Sequence, residues 1–486
     1  MIFNKKLAVA VSGAVLLMAG QFALADSTTD IVDALVSKGV LTEEEGKLIT
    51  KGHESKKEKT LEGKFKDGFV IENSDGSNSM KIGGRLHMDY RNFSKNQAST
   101  STSTAADKQA DTFDVRRARV ELSGTYRKYY DYLISADLAD AKTGNSSTTN
   151  AASSLDQAYL NFKWFPKVQV RVGQFKQPQN LEKMTSSNNI DFQERSFVNQ
   201  LSGNEDRGIM VHGEPFNGFT YAGGVFTGAG GKNRNDVFKR NDDAEFTGRV
   251  TANFAALLDN KDMILHAGLS GSTTTIDTKN TADKFDGWLS SGANNVRTEA
   301  RGIEFIQLPS LTANTVNTGI DRERYGLEGI AAYGPFKVQS EWIRNDFKGT
   351  KNAGSVAFDN SIDAYYVEAL YLITGEKYAD FYKGGAFGGI KPKSEFNPDT
   401  GSGYGAWEVG YRYSNIDATD FANLVTPGTT SALKAHTHIA QLKWVPNNNT
   451  RILLDYVQTK FGNGIDLGYA VTDEEKAITT RVQFMF

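Results

Sequence analysis

Over long tracts of this chain, apolar and polar residues take turns. In Asp114–Ser123, D-V-R-R-A-R-V-E-L-S, Ala118, Val120 and Leu122 form one row and Arg117, Arg119 and Glu121 the other. That is the period of two that an extended strand imposes on its side chains. Ile82, Gly84, Leu86, Met88 and Tyr90 oppose Lys81, Arg85, His87, Asp89 and Arg91 in the same way. The rhythm recurs in Tyr130–Leu138, Ala158–Trp164, Val168–Val172, Ile209–Val211, Phe219–Val225 and Phe246–Phe254. Later strands centre on Leu265–Leu269, Arg322–Ile330, Phe336–Trp342, Tyr365–Tyr371, Trp407–Tyr413, Ile439–Trp444, Ile452–Tyr456 and Ile478–Phe486. The tally is about sixteen or seventeen, the number that a large water-filled barrel would need. Short turns such as Phe165-Pro166-Lys167 and Tyr333-Gly334-Pro335 alternate with long Ser/Thr/Ala-rich loops such as Asn96–Ala110. Strands with one greasy and one charged face fit a soluble sandwich, greasy side inward, or a membrane barrel, greasy side on lipid. The alternation alone leaves both open.

The two ends favour the barrel. Residues 1–25 carry Lys5 and Lys6, an apolar run from Leu7 to Ala19, and Ala23-Leu24-Ala25, the layout of a secretory signal cleaved after Ala25. The run is shorter than the ~20 residues that span a bilayer. Residues 26–62 read as a short helical segment and linker, with Thr42 capping a helix whose first turn is acidic. The last strand ends on Phe484 and Phe486. The expected fold is therefore all-β, a transmembrane antiparallel barrel of about 16 strands over residues 63–486, in the outer membrane of a Gram-negative cell.

Composition agrees. Only 39% of the 486 residues are hydrophobic and the mean hydropathy is -0.45, which excludes a bundle of membrane helices but not a barrel, whose strands need apolar residues only at alternate positions. No cysteine occurs, so no disulfide holds the chain. A net charge of -3 gives no global field for nucleic acid, and any preference for anions must be local.

Local cations are present. Arg85, Arg91, Arg117, Arg119, Arg171 and Arg249 fall on polar faces, with Arg324 and Arg412 as further candidates. Arginine suits phosphate because its planar fork donates to two oxygens and stays charged. Glu121, Asp89 and Asp137 stand ready as partners, which would make the same arginines ordinary wall residues. Arg116 lies on the apolar parity and reaches the lumen only through a bulge. Gly173–Gly203 follows a barrel strand, too long for a turn. One reading folds it inward as a constriction with Lys183 at the narrowest point; the other leaves it on the surface.

Gly83-Gly84-Arg85-Leu86, Arg116-Arg117-Ala118, Asp156-Gln157-Ala158-Tyr159-Leu160, Gly173-Gln174-Phe175-Lys176 and Leu181-Glu182-Lys183-Met184-Thr185-Ser186-Ser187 together resemble the phosphate-selective porin O and P family. The resemblance runs in order from about Gly83 to Arg195. It implies a trimeric sixteen-stranded barrel taking up phosphate or polyphosphate along an arginine ladder, with lysines gathering anions at the mouths. Arg85, Arg116 and Arg117 would be ladder residues, Lys183 would sit on the constriction loop, and Asp156 would shape the central anion site. Arg297 and Arg301, in R-T-E-A-R-G, are the downstream ladder candidates. Two departures stand out. The position two after the arginine pair, aromatic in the best-studied members, is Arg119 here, and Asp156 falls on the apolar parity of its strand, so that it too needs a bulge.

Other motifs are weak. His436-Thr437-His438 lacks the companions of a metal set, Asn73–Asn78 lacks the acidic spacing of a calcium loop, and Gly228–Lys232 has no Ser or Thr after its lysine as a P-loop requires. No cofactor and no catalytic triad is expected. The expected function is passive uptake of inorganic phosphate or other small anions through an arginine- and lysine-lined pore in contact with outer-membrane lipid. A general or organic-anion porin is the nearest alternative, and a secreted β-rich binding protein or adhesin the more distant one.

Overall fold

The computed structural model describes residues 32, 35–49, 61–65, 68–94, 111–139, 154–227, 244–276, 288–289, 294–308, 319–351, 356–425, 431–467 and 471–486. The expected signal sequence, the loop Asn96–Ala110 and the Gly228–Lys232 motif lie outside them.

Sixteen strands form the barrel wall. They are β1 (Ser79–Phe93), β2 (Thr112–Tyr126), β3 (Tyr130–Asp137), β4 (Ser154–Phe165), β5 (Val168–Lys176), β6 (Glu205–Phe216), β7 (Phe219–Phe226) and β8 (Glu245–Asn253). The second half is β9 (Met263–Ile276), β10 (Ile320–Tyr333), β11 (Phe336–Lys351), β12 (Val356–Leu372), β13 (Ala406–Asp417), β14 (Lys434–Asn447), β15 (Thr450–Asp466) and β16 (Val471–Met485). Each pairs antiparallel with its neighbours, and β16 closes the ring by pairing Ala477–Met485 with Phe93–Arg85 of β1. Closure leaves no free edge, as hydrocarbon demands. At the seam Gly84 and Phe486 exchange backbone hydrogen bonds of 2.8 and 3.2 Å. A Cβ on Gly84 would sit 2.6 Å from the Arg119 carbonyl oxygen, so this approach requires glycine.

The wall is inside out relative to a soluble domain. On β8 and β10 the apolar residues face outward, with Val250 42% and Leu327 48% exposed, whereas Arg249 and Arg324 on the inner face are 7% and 1% exposed. A sandwich core would reverse this, and the barrel alternative prevails. Aromatics ring the end that carries the short turns: Tyr126, Trp164, Phe165, Phe216, Tyr333, Phe336 and Tyr371 are all exposed there, as an interfacial girdle would be. Short turns mark that end as periplasmic.

N-terminal to the wall, residues 43–49 are helical, and Thr42 and Glu45 close a reciprocal cap: Glu45 N–H donates to Thr42 Oγ1 at 3.3 Å and Thr42 N–H to Glu45 Oε2 at 2.9 Å. Leu61–Phe65, where a linker was expected to end, instead pairs with Phe69–Asn73, which continues onto Ser79–Ile82 of β1.

Two connections fill one side of the lumen. Residues 177–204, between β5 and β6, run inward and pack Phe192, Phe197, Val198 and Leu201 in full burial. Residues 373–405, between β12 and β13, are an irregular segment at the periplasmic end that alternation did not foresee. Its Tyr378, Phe381, Phe387 and Ile390 pack with Leu181 and Phe192 of the first segment and Ile330, Leu370 and Ile439 of the wall. Both segments thus pack against the β9–β15 side of the wall.

Candidate anion-conducting site

Two bulges make the site. Along β1 and β2 the register runs His87↔Arg117 and then Met88↔Val115, so Arg116 is the extra residue. Val120 points outward on one side of it and Phe113 and Val115 on the other, a switch of parity that only an inserted residue allows. Along β3 and β4 the register runs Ser135↔Gln157 and then Ala136↔Leu155, making Asp156 the extra residue there. Both residues that simple alternation assigns to lipid therefore turn inward. Arg116 donates to Glu194 of the inward segment at 2.8 and 3.3 Å. Asp156 accepts from Arg119 at 2.5 Å, and Asp137 accepts from the same guanidinium at 2.9 Å.

The segment 177–204 is suspended from the wall by side chains that satisfy its backbone, as buried backbone groups require. The Glu341 carboxylate of β11 accepts from Leu181 N–H at 2.7 Å and Glu182 N–H at 2.8 Å, holding the start of a short helix, α1 (Leu181–Met184). Lys176 caps its other end, donating to the Lys183 and Thr185 carbonyls at 2.8 and 3.1 Å. Asp455 accepts from Gln193 N–H at 2.8 Å, Gln483 donates to the Asn188 carbonyl at 3.0 Å, and Arg481 grips both Asp89 and Glu194. Burial opposes charge on Glu194, yet Arg116 and Arg481 hold it well below the usual carboxylate range.

Between this segment and β1–β6 lies a cavity of about 430 Å³ lined by Arg85, Arg116, Arg117, Arg119, Arg171, Lys176, Lys183, Arg195, Asp156, Glu205 and the hydroxyls of Ser186 and Ser187. Eight cations thus face two carboxylates. Arg85 donates to Ser187 Oγ at 2.9 Å and Ser186 Oγ at 3.3 Å and pairs with Glu121. Lys183 reaches Asn204 Oδ1 at 2.6 Å with Glu205 at 3.6 Å; burial pushes its ammonium below the usual lysine value, with Glu205 pulling the other way. Arg117 differs from these. Among the described residues no carboxylate pairs with it, and its one side-chain hydrogen bond is with His87 Nδ1 at 3.5 Å.

Of the other sequence candidates, Arg301 comes close. Its guanidinium is pushed down to about 10 by the Arg116 charge and by burial, and its stretch docks on the inward segment, where Glu299 accepts from Phe197 N–H at 3.1 Å and Gln200 donates to the Arg297 carbonyl at 2.8 Å. Arg297 instead pairs with Glu304 in a small hairpin. Arg249 is clamped by Glu328 and the Gly385 carbonyl, Arg324 by Glu245, and Arg412 by Glu182 and Glu299. Lys176 and Arg195 line the cavity without having been singled out. Arg195 sits on the inward segment and donates to the Glu182 and Thr185 carbonyls at 2.9 and 2.8 Å. Among the described residues no group of three or more His, Asp or Glu could hold a metal ion.

Comparison with known families gives a match to "Phosphate-selective porin O and P" over residues 80–486. The chain belongs to that family. It is an outer-membrane porin, and membership of that family implies a channel. Porin O of Pseudomonas aeruginosa is 28% identical over 449 residues, spanning 87% of this chain and 92% of that protein. Among solved structures, an anion-selective porin from Comamonas acidovorans is 14% identical and covers 84% of this chain and 100% of its own, with a TM-score of 0.46. The outer membrane channel DcaP of Acinetobacter baumannii is 12% identical, covering 86% and 99%, with a TM-score of 0.48. OmpT of Vibrio cholerae in its trimer form is 11% identical, covering 84% and 100%, with a TM-score of 0.45.

Proposed function

We propose that this porin passes small oxyanions, inorganic phosphate or polyphosphate foremost, by passive diffusion through the cavity between residues 177–204 and β1–β6. The observation that carries the proposal is the lining itself: eight cations and two serine hydroxyls against two carboxylates. A wet pore selects by the charges at its narrowest part, and guanidinium forks with hydroxyl donors match a tetrahedral oxyanion. Arg85, Arg116, Arg117, Arg119 and Lys183 form the anion pathway, Asp156 orients Arg119, and Arg301 and Arg297 feed it from the extracellular side. Arg249 contributes as a fixed charge in the wall. The family's description as phosphate-selective favours phosphate, the family resemblance favours a homotrimer, and the layout of residues 1–25 favours their removal on export.

A broader anion porin is the second reading, because Arg85, Arg116 and Arg119 already have acid partners that weaken their field. Chloride current measured in lipid bilayers with phosphate added at constant ionic strength separates the two. Block by phosphate supports the proposal; equal passage of phosphate, chloride and small organic anions overturns its phosphate selectivity.

A further inference from the structure

The lipid-facing side of the wall is uneven. On β2 and β8 exposed apolar side chains continue to the extracellular end of the strand, Phe113 and Val115 on the first and Phe246 on the second. On β13–β16 they stop short. The outward row of β14 reads Trp444, Leu442, Ala440, His438, His436 and Lys434, while the intervening Thr437, Ile439 and Gln441 are buried on the inner face. His438 stands six residues above the periplasmic Trp444, roughly 15 Å at a rise of ~3.3 Å per residue and a tilt of ~40°. A barrel's apolar band is about 25 Å tall, so polar side chains begin inside it on this face.

Neighbouring strands extend the patch. The register sets His436 between Asn415 of β13 and Lys460 of β15, and Lys460 against Glu474 of β16. One level below, His438 lies between Tyr413 and Gln458, with Lys476 beyond. The aromatic side is tightly grouped: the His438 ring is 5.1 Å from that of Tyr413 and 5.6 Å from that of His436, and it is hydrogen-bonded to the Tyr411 hydroxyl at 2.5 Å. The cations are unequally matched. Lys434 pairs with Asp417 at 2.9 Å and Lys476 with Glu474. Lys460 is exposed, and among the described residues no salt bridge or hydrogen bond engages it, nor does any hydrogen bond engage the His436 side chain.

We propose that this outward face of β13–β16 binds the phosphate-bearing headgroup of an outer-leaflet glycolipid, with Lys460 taking a headgroup phosphate, His436 and His438 donating to phosphate or sugar oxygens, and Tyr411 and Tyr413 resting against the sugar. An unpaired ammonium and imidazole are costly against acyl chains and favourable beside a phosphate. The lysine stem can lie along the apolar wall while its ammonium reaches the headgroup level, and tyrosine suits a boundary that is apolar at one end and wet at the other. A second copy of the chain fits less well, because the centre of a protein interface is depleted of charge and the centre here is Lys460 beside His436. The inference concerns the outer wall and is independent of which anion the lumen passes.

The test uses the intact porin in detergent, with Lys460→Gln, His436→Gln and, as a control, Lys348→Gln at an outward lysine of β11 that faces Asp359 at 3.7 Å, each confirmed as folded by heat-modifiable gel mobility. Binding of diphosphorylated lipid A, and of the same lipid stripped of its phosphates, is read by native mass spectrometry. Lys460→Gln is expected to weaken binding of the phosphorylated lipid about fivefold, the size of one exposed charge pair, and His436→Gln about twofold to fivefold, whereas Lys348→Gln changes it less than about twofold. Phosphate block of chloride current should be unchanged in all three, since none of these side chains faces the lumen. Equal binding of the two lipids, or an equal effect of Lys460→Gln and Lys348→Gln, would overturn the proposal. Displacement of the lipid by inorganic phosphate at matched concentration would overturn the glycolipid as occupant in favour of a free anion. Dissociation of the oligomer by Lys460→Gln in light scattering, with lipid binding intact, would overturn it in favour of a contact between copies.

Discussion

Arg117→Ala is the substitution that most directly tests how the constriction holds an anion. Arg117 and Arg116 are adjacent in sequence and both face the cavity, yet their charges are differently spent. Arg116 is matched by Glu194 at 2.8 Å, whereas Arg117 has only the distant His87 ring. On the proposed function, the available donors of Arg117 are left for the permeating ion. A hydrogen bond to a charged group contributes about 1.5–3 kcal/mol, and each 1.4 kcal/mol is tenfold in affinity. Water in the pore reduces this toward the lower figure, so the half-blocking phosphate concentration should rise roughly tenfold. Arg116→Ala should do less, because the charge it removes was already neutralised. Both variants are measured as phosphate block of chloride current in single channels at fixed ionic strength. A shift under twofold for Arg117→Ala together with an equal or larger one for Arg116→Ala would refute the assignment of the free fork to the ion.

Three further outcomes follow from the same geometry. Glu341→Ala leaves two buried N–H groups of α1 without an acceptor, a cost of about 2–6 kcal/mol at about 1–3 each, so the heat-modifiable transition should move to lower temperature and open-channel noise should rise; quiet current in a folded variant would show that Glu341 does not position the segment. Asp156→Asn removes one of the two acids holding Arg119, and the reversal potential in asymmetric salt should shift toward stronger anion selectivity; a shift toward cations would contradict the role given to Asp156. Anion selectivity should weaken from about 0.01 M to 1 M salt as the screening length shrinks from about 30 Å to 3 Å, and a flat profile would point to sieving by size.

The barrel was legible because lipid enforces a period of two along each strand, and Val120, Val250 and Leu327 stand where that period places them. The charged rows were legible for the same reason. The bulges were not, since one inserted residue leaves no compositional trace: parity assigns Arg116 and Asp156 to lipid, and only the family resemblance argued for the lumen. Lys176 escaped through the same blind spot, sharing parity with the outward Val168 and Val172 while its ammonium serves three carbonyls of the inward segment. Glu341 escaped because its partners lie about 160 residues away in sequence, and no local pattern marks an acceptor for a distant backbone. Residues 373–405 were passed over because irregular chain has no period; its structure is set by what it packs against.

The bulges also explain how a regular wall yields an irregular site. In an unbroken strand Arg116 and Arg117 would face opposite ways, one to lipid and one to water. An extra residue on β2 brings both into the cavity, and another on β4 does the same for Asp156, with Arg119 joining that acid to Asp137 between them. Each inserted residue forfeits ladder hydrogen bonds and regains a charged contact: Arg116 with Glu194, Asp156 with Arg119. Because Glu194 is carried by the inward segment, the first of these contacts also docks that segment against β2. The same defect therefore concentrates charge in the cavity and ties the inward segment to the wall. Arg117 gains no such partner, which is why the proposed function gives the permeating ion to its fork.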